Sequence, residues 1–498
     1  MLADLRKIAS QSFIYGLGTM APKLAGFILI PIYTKHFPLS EFGILGLLDS
    51  TSQIIIGIVG LALYQGFFRW YFDKQAETKK KSLFFTLLLV HVILAFISVI
   101  IIWPFGTYIS TSLFGHSGYT HVLRLMVITS LIQMIVIMPS TLLRLQERAG
   151  LYTISNLLQM AVMVIITVYL IVFQHMGVEA IYYAQLIGLI SYLLLLIRYI
   201  IVNCEVRFEW TLLKQIISFC LPLVLSSIAI VLLNQADRYV INHFDKLGDV
   251  GLYTLGFRLS NTLNILLVAS ISFAIQPMIF KKMDDPNNKR FYSKLLTYFV
   301  LVVMFFVLGM TFFGKEIVKL FANRQEYYEA YQIIPILCFA ILFNMMKDMA
   351  MIGLQITKKT HSIAGIVITV SVTGILLNIL LVPWLHNFGA AIAKLVASIL
   401  FFWLIYYYSQ KAYPIQYEMK KLLMMILIGA ILYLPVIFIN EMGILIRILV
   451  KTLLIFSYPV LLYLMGFFEP VELEKLQGAW TKWKHPAELL SNLKALKK

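Results

Sequence analysis

The chain has 498 residues, of which 60% are hydrophobic and only 13% are charged, and its mean hydropathy is +0.86. Soluble domains are about 45–50% apolar and about 25% charged, so a water-soluble protein of this length would expose apolar surface that it cannot cover. The composition therefore excludes a soluble protein. The net charge of +17 comes from basic residues beside apolar segments, which indicates membrane topology rather than nucleic-acid binding.

Apolar segments long enough to cross a bilayer follow one another along the chain. A hydrocarbon core of about 30 Å needs roughly 20 apolar residues per helix. The predicted fold class is therefore all-α, a polytopic membrane protein with about fourteen transmembrane helices. The first span is too long for a secretory signal and lacks an A-x-A cleavage site. The predicted spans, numbered in chain order, are 12–34, 42–68, 83–103, 121–143, 152–173, 177–201, 213–240, 250–280, 295–313, 331–356, 361–382, 388–409, 421–440 and 444–466.

Lysine and arginine residues are concentrated in every second connecting segment. If the N-terminus is cytoplasmic, the inner segments hold about four times as many of them as the outer segments. The positive-inside rule then predicts that both termini are cytoplasmic. The tail 467–498 carries Trp480 and Trp483 among scattered lysines, and we expect it to lie at the inner membrane interface or to be solvated.

Short matches between the two halves of the chain predict an internal duplication. Their order is conserved, and the offset between them drifts only from 207 to 212 residues. This offset covers six spans, so both copies have the same orientation, and parallel repeats are related by an axis along the membrane normal. The matched pairs are 35–43 with 242–251, Leu145-Gln146 with Leu354-Gln355, and His175-Met176-Gly177 with His386-Asn387-Phe388-Gly389.

The duplication predicts two six-helix lobes around a central cavity. The N-lobe comprises 1–207 with spans 1–6, and the C-lobe comprises 208–412 with spans 7–12. Spans 13 and 14, at 413–466, are additional C-terminal helices, and 467–498 is the tail. A two-lobed bundle is what alternating access requires.

Ionisable residues inside the spans are candidate functional positions, because a charge at the bilayer centre costs about 2.5–3.5 kcal/mol on insertion scales. Lys23 lies about 16 Å into span 1, near the middle of the membrane, and no acid lies on its own turn. The adjacent Pro22 is expected to kink the helix there. We predict that Lys23 binds an anionic group of the substrate.

Asp49 and Arg258 occupy corresponding places of spans 2 and 8, to within one residue of the repeat alignment. They are predicted either to form an ion pair between the lobes or to serve the substrate or a proton. Lys347 and Asp348 are adjacent and so about 100° apart around span 10, where one can line the cavity while the other pairs elsewhere. Asp49 and Asp348 are the candidates for H⁺ or Na⁺ coupling. Lys394, near the outer end of span 12, is expected to extend to the interface.

Arg69, Arg144 and Arg148 lie at the predicted inner interface. Arginine forks match phosphate oxygens, so these residues are candidates for receiving a pyrophosphate, although ordinary positive-inside charges have the same placement. Asp237 and Arg238 close span 7, and we expect them to hold the outer loop rather than to touch substrate.

Three segments of the chain resemble the polysaccharide (O-antigen type) flippases of the multidrug/oligosaccharidyl-lipid/polysaccharide exporter superfamily. The similarity covers about residues 5–470. The segments are Gly60–Tyr71 at the end of span 2, Leu142–Tyr152 between spans 4 and 5, and Asp237–Ile241, which is followed by Val250–Tyr253 and Gln276-Pro277.

The resemblance implies transport of lipid-linked oligosaccharides, carried on undecaprenyl pyrophosphate, from the inner to the outer leaflet of a bacterial cytoplasmic membrane. Such transport serves the biosynthesis of surface polysaccharides, including lipopolysaccharide O-antigen and exopolysaccharide. Polysaccharide polymerases and glycosyltransferases are then expected partners, beside the membrane lipids.

Other classes stay open to different degrees. A lipid II flippase or a drug/cation antiporter of the same superfamily remains an alternative, although an antiporter for cations would be expected to place acids in the first spans, where this chain has Lys23. A membrane-embedded polysaccharide polymerase or ligase would need a sizeable outer loop, which is absent.

No motif in the sequence predicts catalysis, a cofactor or a metal site. The motifs G-x-x-x-x-G-K-[ST], H-E-x-x-H and G-x-S-x-G are absent, so ATPase, zincin and hydrolase activities are not indicated. Cys204, Cys220 and Cys338 are far apart and form no CxxC pair, so they predict neither disulfides nor a zinc site. We therefore expect a transporter rather than an enzyme.

Overall fold

The computed structural model describes residues 2–283, 285–470 and 472–474. Thirteen helices in this part of the chain are long and apolar enough to cross a membrane. The helix His361–Ala412 comprises two spans, because its backbone breaks at His386, where φ is 50° and ψ is −131°. The thirteen helices therefore contain fourteen spans. The predicted fold class, a multi-pass membrane protein with about fourteen transmembrane helices, is confirmed. The predicted interfacial tail, with Trp480 and Trp483, lies outside the described residues.

The spans keep their sequence numbers in the structure. Spans 1 to 10 are Tyr15–His36, Leu39–Val59, Glu77–Phe114, Ser117–Leu145, Ala149–Phe173, Glu179–Asn203, Trp210–Phe244, Leu247–Ser272, Asn288–Phe312 and Ile334–Ile356. Spans 11 and 12 share His361–Ala412, and spans 13 and 14 are Met419–Ile439 and Ile444–Leu464.

Span 1 is interrupted near its outer end. One helix covers Leu2–Ile28 and the next covers Ile30–His36, so the break is at Leu29. Pro31 lacks the N–H that would continue the hydrogen-bond ladder, which explains an interruption at this point. Pro22 lies inside the helix Leu2–Ile28, and the kink that the sequence predicts there stays a prediction.

The backbone carries the same unusual conformations at matched points of the two halves. Glu147 and Lys358, which follow spans 4 and 10, both have φ of 54°. His175 and His386, which follow spans 5 and 11, have φ of 52° and 50°. The members of each pair are 211 residues apart, and positive φ is uncommon outside glycine. The two halves therefore repeat one fold, whereas the lobe boundaries at 207 and 412 stay predictions.

Spans 2 and 8, which are equivalent helices of the two halves, cross where each carries a glycine. A β-carbon on Gly43 would lie 2.0 Å from the carbonyl oxygen of Leu247, and one on Gly251 would lie 2.3 Å from the carbonyl oxygen of Leu39. Leu39 and Gly43 correspond to Leu247 and Gly251 in the repeat, so the two contacts are reciprocal. This glycine crossing therefore lies on a local two-fold axis, as expected for parallel repeats.

The connection between the halves is held against the start of span 3. Glu209 accepts hydrogen bonds from Lys79 Nζ at 2.8 Å and from Ser82 Oγ at 3.3 Å, and its own N–H donates to Thr86 Oγ1 at 3.0 Å. The hydrogen bond from Lys79 holds the pKa of the Glu209 carboxyl below its ordinary value. The N-terminal end of span 7 is thereby attached to the first half.

Spans 13 and 14 are attached to the rest of the protein through a buried charged cluster. Glu316, in the helix Gly314–Phe321 after span 9, lies 2.5 Å from Arg447 Nε and 2.8 Å from Lys451 Nζ. Lys451 is fully buried, and its ammonium also donates to Asn440 Oδ1 at 2.7 Å. Glu316 therefore neutralises two cations of span 14.

Replacing Glu316 with alanine is expected to destabilise the protein. Removing one partner of a buried ion pair costs about 3–5 kcal/mol, because the other charge stays buried and unpaired. Thermal unfolding in detergent should therefore begin at a clearly lower temperature in Glu316→Ala. Glu329→Ala, which truncates an exposed acid, is the matched control and should unfold like the wild type. Equal unfolding of both variants would show that the cluster contributes nothing.

Candidate functional site

A cavity of about 450 Å³ lies between the two halves, within the membrane-spanning region. Its wall includes Lys23 of span 1, Asp49 of span 2 and Arg258 of span 8. Ligand sites in proteins are typically concave spaces of about 300–1,000 Å³. The cavity is therefore the candidate substrate site, and it contains three of the residues that the sequence predicts for this role.

Lys23 carries a positive charge into this cavity without a neutralising partner. Its side chain is exposed to the space. In the described part of the chain, no acid lies within ion-pair distance of its ammonium group. An isolated charge at membrane depth is stabilised only by water or by an anion that enters. The position suits an anionic group of a ligand.

The ion pair predicted between the halves is present. Arg258 Nη2 lies 2.5 Å from Asp49 Oδ2, and Tyr182 donates a hydrogen bond to Asp49 Oδ1 at 3.2 Å. The guanidinium of Arg258 also stacks over the rings of Tyr33 and Phe42. The side chains of Arg258 and Asp49 are 19% and 41% exposed, so the pair remains within reach of a ligand.

Alanine variants of Asp49 and Arg258 test whether the pair works as a unit. Each single substitution leaves the other charge unpaired, and we expect each to slow transport about tenfold. Contacting residues show coupling of about 0.5–3 kcal/mol, so the double variant should be faster than the product of the single effects predicts. Transport rates of the wild type, the two single variants and the double variant, measured in vesicles, give this coupling directly. Strictly multiplicative effects would mean that the two residues act independently.

A second charged cluster lies beside the cavity in the second half. Asp237 is 1% exposed and accepts hydrogen bonds from Tyr253 Oη at 2.5 Å and from Lys394 Nζ at 2.8 Å. Arg238 lies 3.2 Å from Asp237, stacks over Phe257 and lines the cavity. The expectation that Lys394 extends to the interface is wrong, because a buried carboxylate is available to it. The cluster joins spans 7, 8 and 12 rather than holding an outer loop.

Lys347 and Asp348 contact each other rather than the cavity. Their charged groups are 2.8 Å apart, and the ammonium of Lys347 also lies over the ring of Phe401 at 4.6 Å. Neither residue is part of the cavity wall. The expectation that one lines the cavity while the other pairs elsewhere is therefore wrong, because each finds its partner in the adjacent residue.

The three arginines at the predicted inner interface also lie outside the cavity wall. Each guanidinium stacks on an aromatic ring, which stabilises it by about 0.5–2 kcal/mol. The role of receiving a pyrophosphate at this end stays a prediction. The stacked pairs are Arg69 with Phe219 at 5.2 Å, Arg144 with Phe68 at 5.1 Å, and Arg148 with Tyr199 at 5.5 Å.

Four glutamines of the first half also line the cavity, in addition to Gln235 of the second half, and none of them is ionisable. Gln53, Gln133, Gln159 and Gln185 belong to spans 2, 4, 5 and 6. Burying an amide in an apolar environment without a partner costs several kcal/mol. Glutamines inside apolar spans are therefore the sequence signal that points to this wall. No group of three His, Cys, Asp or Glu side chains in the described residues could hold a metal ion.

Contacts between the halves lie on the predicted outer side of the cavity. Backbone carbonyls at the end of span 1 accept hydrogen bonds from the segment that follows span 9, and Thr34 of span 1 donates one to a backbone carbonyl of that segment. Together with the glycine crossing, these contacts form what we term the outer seal. The hydrogen bonds are Asn323 Nδ2 to Pro31 O at 3.0 Å, Arg324 Nε to Lys35 O at 3.3 Å, Tyr327 Oη to Phe37 O at 3.0 Å, and Thr34 Oγ1 to Phe321 O at 2.8 Å.

A second set of contacts joins the halves on the predicted inner side. A β-carbon on Gly66, in the inward continuation of span 2, would lie 2.5 Å from the Ile216 side chain of span 7. Ser270 Oγ of span 8 lies 3.6 Å from Met20 Sδ of span 1. The cavity thus lies between two sets of contacts. The fold and the cavity define a polytopic membrane protein with two matched helical halves around a polar space.

A family model described as "Polysaccharide biosynthesis protein" matches residues 38–326, more than half of the chain, and the chain belongs to this family. The family assignment confirms the resemblance to polysaccharide flippases that the sequence motifs indicate. Among curated proteins, none matches the sequence.

The fold is similar to three solved transporter structures. One, described as "Lipid II flippase MurJ, inward closed conformation", has a TM-score of 0.75 and 16% identity, over 91% of this chain and 99% of that one. A variant of the Vibrio cholerae MATE transporter VcmN has a TM-score of 0.60 and 14% identity, over 82% of this chain and 98% of that one. An inward-facing multidrug resistance MATE family transporter of the MOP superfamily has a TM-score of 0.59 and 15% identity, over 82% of this chain and 93% of that one. At these identities, the likeness shows a MurJ/MATE-type fold.

Proposed function

We propose that this protein is a flippase for lipid-linked oligosaccharides. It moves undecaprenyl-pyrophosphate-linked repeat units from the inner to the outer leaflet of a bacterial cytoplasmic membrane, with both of its termini in the cytoplasm. The units serve a surface polysaccharide, such as lipopolysaccharide O-antigen or exopolysaccharide. The observation that carries the proposal is the unpaired Lys23, which lies in a polar cavity between two matched halves.

The proposed mechanism is alternating access. The pyrophosphate binds at Lys23, which replaces part of the hydration that the anion loses in a low-dielectric region. The lipid tail stays in the bilayer while the cavity holds the polar head. Release of the inner contacts and of the outer seal in turn exposes the cavity to one leaflet and then to the other. No covalent bond changes, so the protein acts as a transporter and not as an enzyme.

A lipid II flippase is the second candidate function, and the similarity to the MurJ structure favours it. Both candidate substrates carry a pyrophosphate, so Lys23 suits either of them. A drug/cation antiporter is disfavoured, because an unpaired cation in the cavity repels a cationic ligand. Coupling to H⁺ or Na⁺ would involve Asp49, whose carboxylate is exposed to the cavity beside Arg258.

Transport in proteoliposomes tests the proposed function. A short glycan linked to undecaprenyl pyrophosphate is supplied in one leaflet, and its arrival in the other leaflet is followed with a membrane-impermeant glycosidase. We expect protein-dependent transfer of this lipid, with little transfer in protein-free vesicles. Lipid II and a cationic dye are offered separately. Transfer of lipid II alone would support the second candidate, and transfer of the dye alone would support an antiporter.

A further inference from the structure

We infer that the four glutamines form a subsite for uncharged, hydroxyl-rich sugars beside the pyrophosphate site at Lys23. This inference rests on the proposed function and adds the place where the glycan binds and the class of sugar that it contains. The subsite, termed the glutamine wall, consists of Gln53, Gln133, Gln159 and Gln185.

The glutamine wall is assembled from four separate helices of the first half. Gln53 and Gln133 are exposed to the cavity, and Gln159 and Gln185 are partly exposed. Each lies in a span whose other residues are largely apolar. Polar side chains at membrane depth usually face a bundle interior or a water-filled cavity and mark substrate pathways. Convergence from four helices is difficult to explain by the packing of any single helix pair.

The amides of the glutamine wall are free to bind a ligand. In the described part of the chain, none of the four makes a hydrogen bond to another residue. The opposite wall differs, because its amides are already engaged. Gln235 accepts hydrogen bonds from Ser50 Oγ at 3.0 Å and from Arg238 Nη1 at 3.3 Å, and Asn264 donates to Asn261 at 3.3 Å. Unmet hydrogen-bonding capacity is thus concentrated in the first half.

The chemistry of the wall matches sugar hydroxyl and acetamido groups. A carboxamide offers two N–H donors and a carbonyl acceptor, and a hydroxyl group both donates and accepts. Amides carry no charge, so they pair poorly with a carboxylate compared with a lysine or an arginine.

The charges of the cavity also favour an uncharged glycan. Arg258 is paired with Asp49, and Arg238 shares the carboxylate of Asp237 with Lys394, so Lys23 is the cation of the described wall that contacts no acid. One cation suits one anionic group, which is the pyrophosphate. A glycan with uronic acid residues would bring further negative charge that meets no unpaired cation in the described wall, and an unpaired buried charge is unfavourable.

Leucine variants of the glutamine wall test this subsite. Gln133→Leu and Gln185→Leu keep the side-chain size but remove the amide, and Gln133→Asn retains an amide. The probe is undecaprenyl pyrophosphate carrying a trisaccharide of hexose and N-acetylhexosamine. We expect the leucine variants to transport it at least about tenfold more slowly, because sugar hydroxyl groups that face the leucine then lack a hydrogen-bond partner. Gln174→Leu, outside the cavity, is the matched control and should transport at the wild-type rate.

Two further measurements make the outcome decisive. Binding of undecaprenyl pyrophosphate without sugar should be unchanged in the leucine variants, which also shows that they are folded. The wild type should transport the uncharged trisaccharide at least about tenfold faster than the same lipid with one glucuronate. Wild-type transport by the leucine variants, or equal rates for the two glycans, would overturn the inference while the proposed function stands. Failure of the wild type to transport either lipid would overturn the proposed function itself.

Discussion

Lys23→Ala is expected to lower the transport of a pyrophosphate-linked glycan by at least about 100-fold. The ammonium group is the unpaired cation of the described cavity wall, and a cation that meets an anion away from water is worth on the order of 3 kcal/mol. At about 1.4 kcal/mol per factor of ten, this energy corresponds to about 100-fold in affinity. Lys23→Arg keeps the charge and should retain much of the activity.

The matched control for Lys23 is another lysine within a span. Lys347 pairs with Asp348 and lies outside the cavity wall, so Lys347→Ala should transport close to the wild-type rate. Rates are compared in the same proteoliposomes, at equal amounts of inserted protein. Equal losses for the two alanine variants would mean that a general effect on the bundle, and not the cavity charge, limits transport.

Gly43→Ala is the second substitution with a large expected effect, because it acts on the outer seal. The new β-carbon would lie 2.0 Å from a backbone carbonyl oxygen of span 8, and backbone cannot move aside as a flexible side chain can. Spans 2 and 8 must therefore separate at the glycine crossing. We expect transport to fall at least about tenfold, because a cavity held open on the outer side no longer returns to the inner side.

A cysteine at Gly26 reports the opening of the outer seal. A β-carbon at Gly26 meets no atom within 4 Å, and the residue lines the cavity, so Gly26→Cys fits without strain. In a protein with Cys204, Cys220 and Cys338 replaced by serine, Gly43→Ala should speed the reaction of this cysteine with an impermeant reagent added outside. Gly309→Ala introduces the same methyl group into open space and should change neither transport nor labelling. Unchanged labelling in Gly43→Ala would show that the crossing does not seal the cavity.

The sequence was sufficient to predict the architecture because hydropathy and duplication act over long stretches. Apolar length alone defines the spans. The corresponding places of Asp49 and Arg258 in the repeat predict an ion pair as one of two alternatives, and the ion pair is present. The repeat also relates Gly43 to Gly251, although only the structure shows that each of these glycines lies against the backbone of the other span.

Side-chain partners within the bundle were harder to predict, because they depend on how the helices rotate and pack. Lys394 binds Asp237, which is 157 residues away along the chain, and hydropathy carries no information about such a pair. The outer seal uses backbone carbonyls as acceptors, which every residue possesses, so no residue pattern marks it. The residues of the glutamine wall carry no charge, so the cost of an intramembrane charge does not single them out, although their amides have hydrogen-bonding capacity.

Access of the central cavity to both sides of the membrane is the most direct test of the transport mechanism. The Gly26→Cys protein is placed in right-side-out and in inverted vesicles, and its reaction with an impermeant thiol reagent is timed in both. If the halves open alternately, the cysteine reacts from each side, and an undecaprenyl-pyrophosphate glycan slows both reactions. A cysteine that reacts from one side only, at a rate unaffected by the glycan, would identify a fixed pocket and contradict transport by this protein.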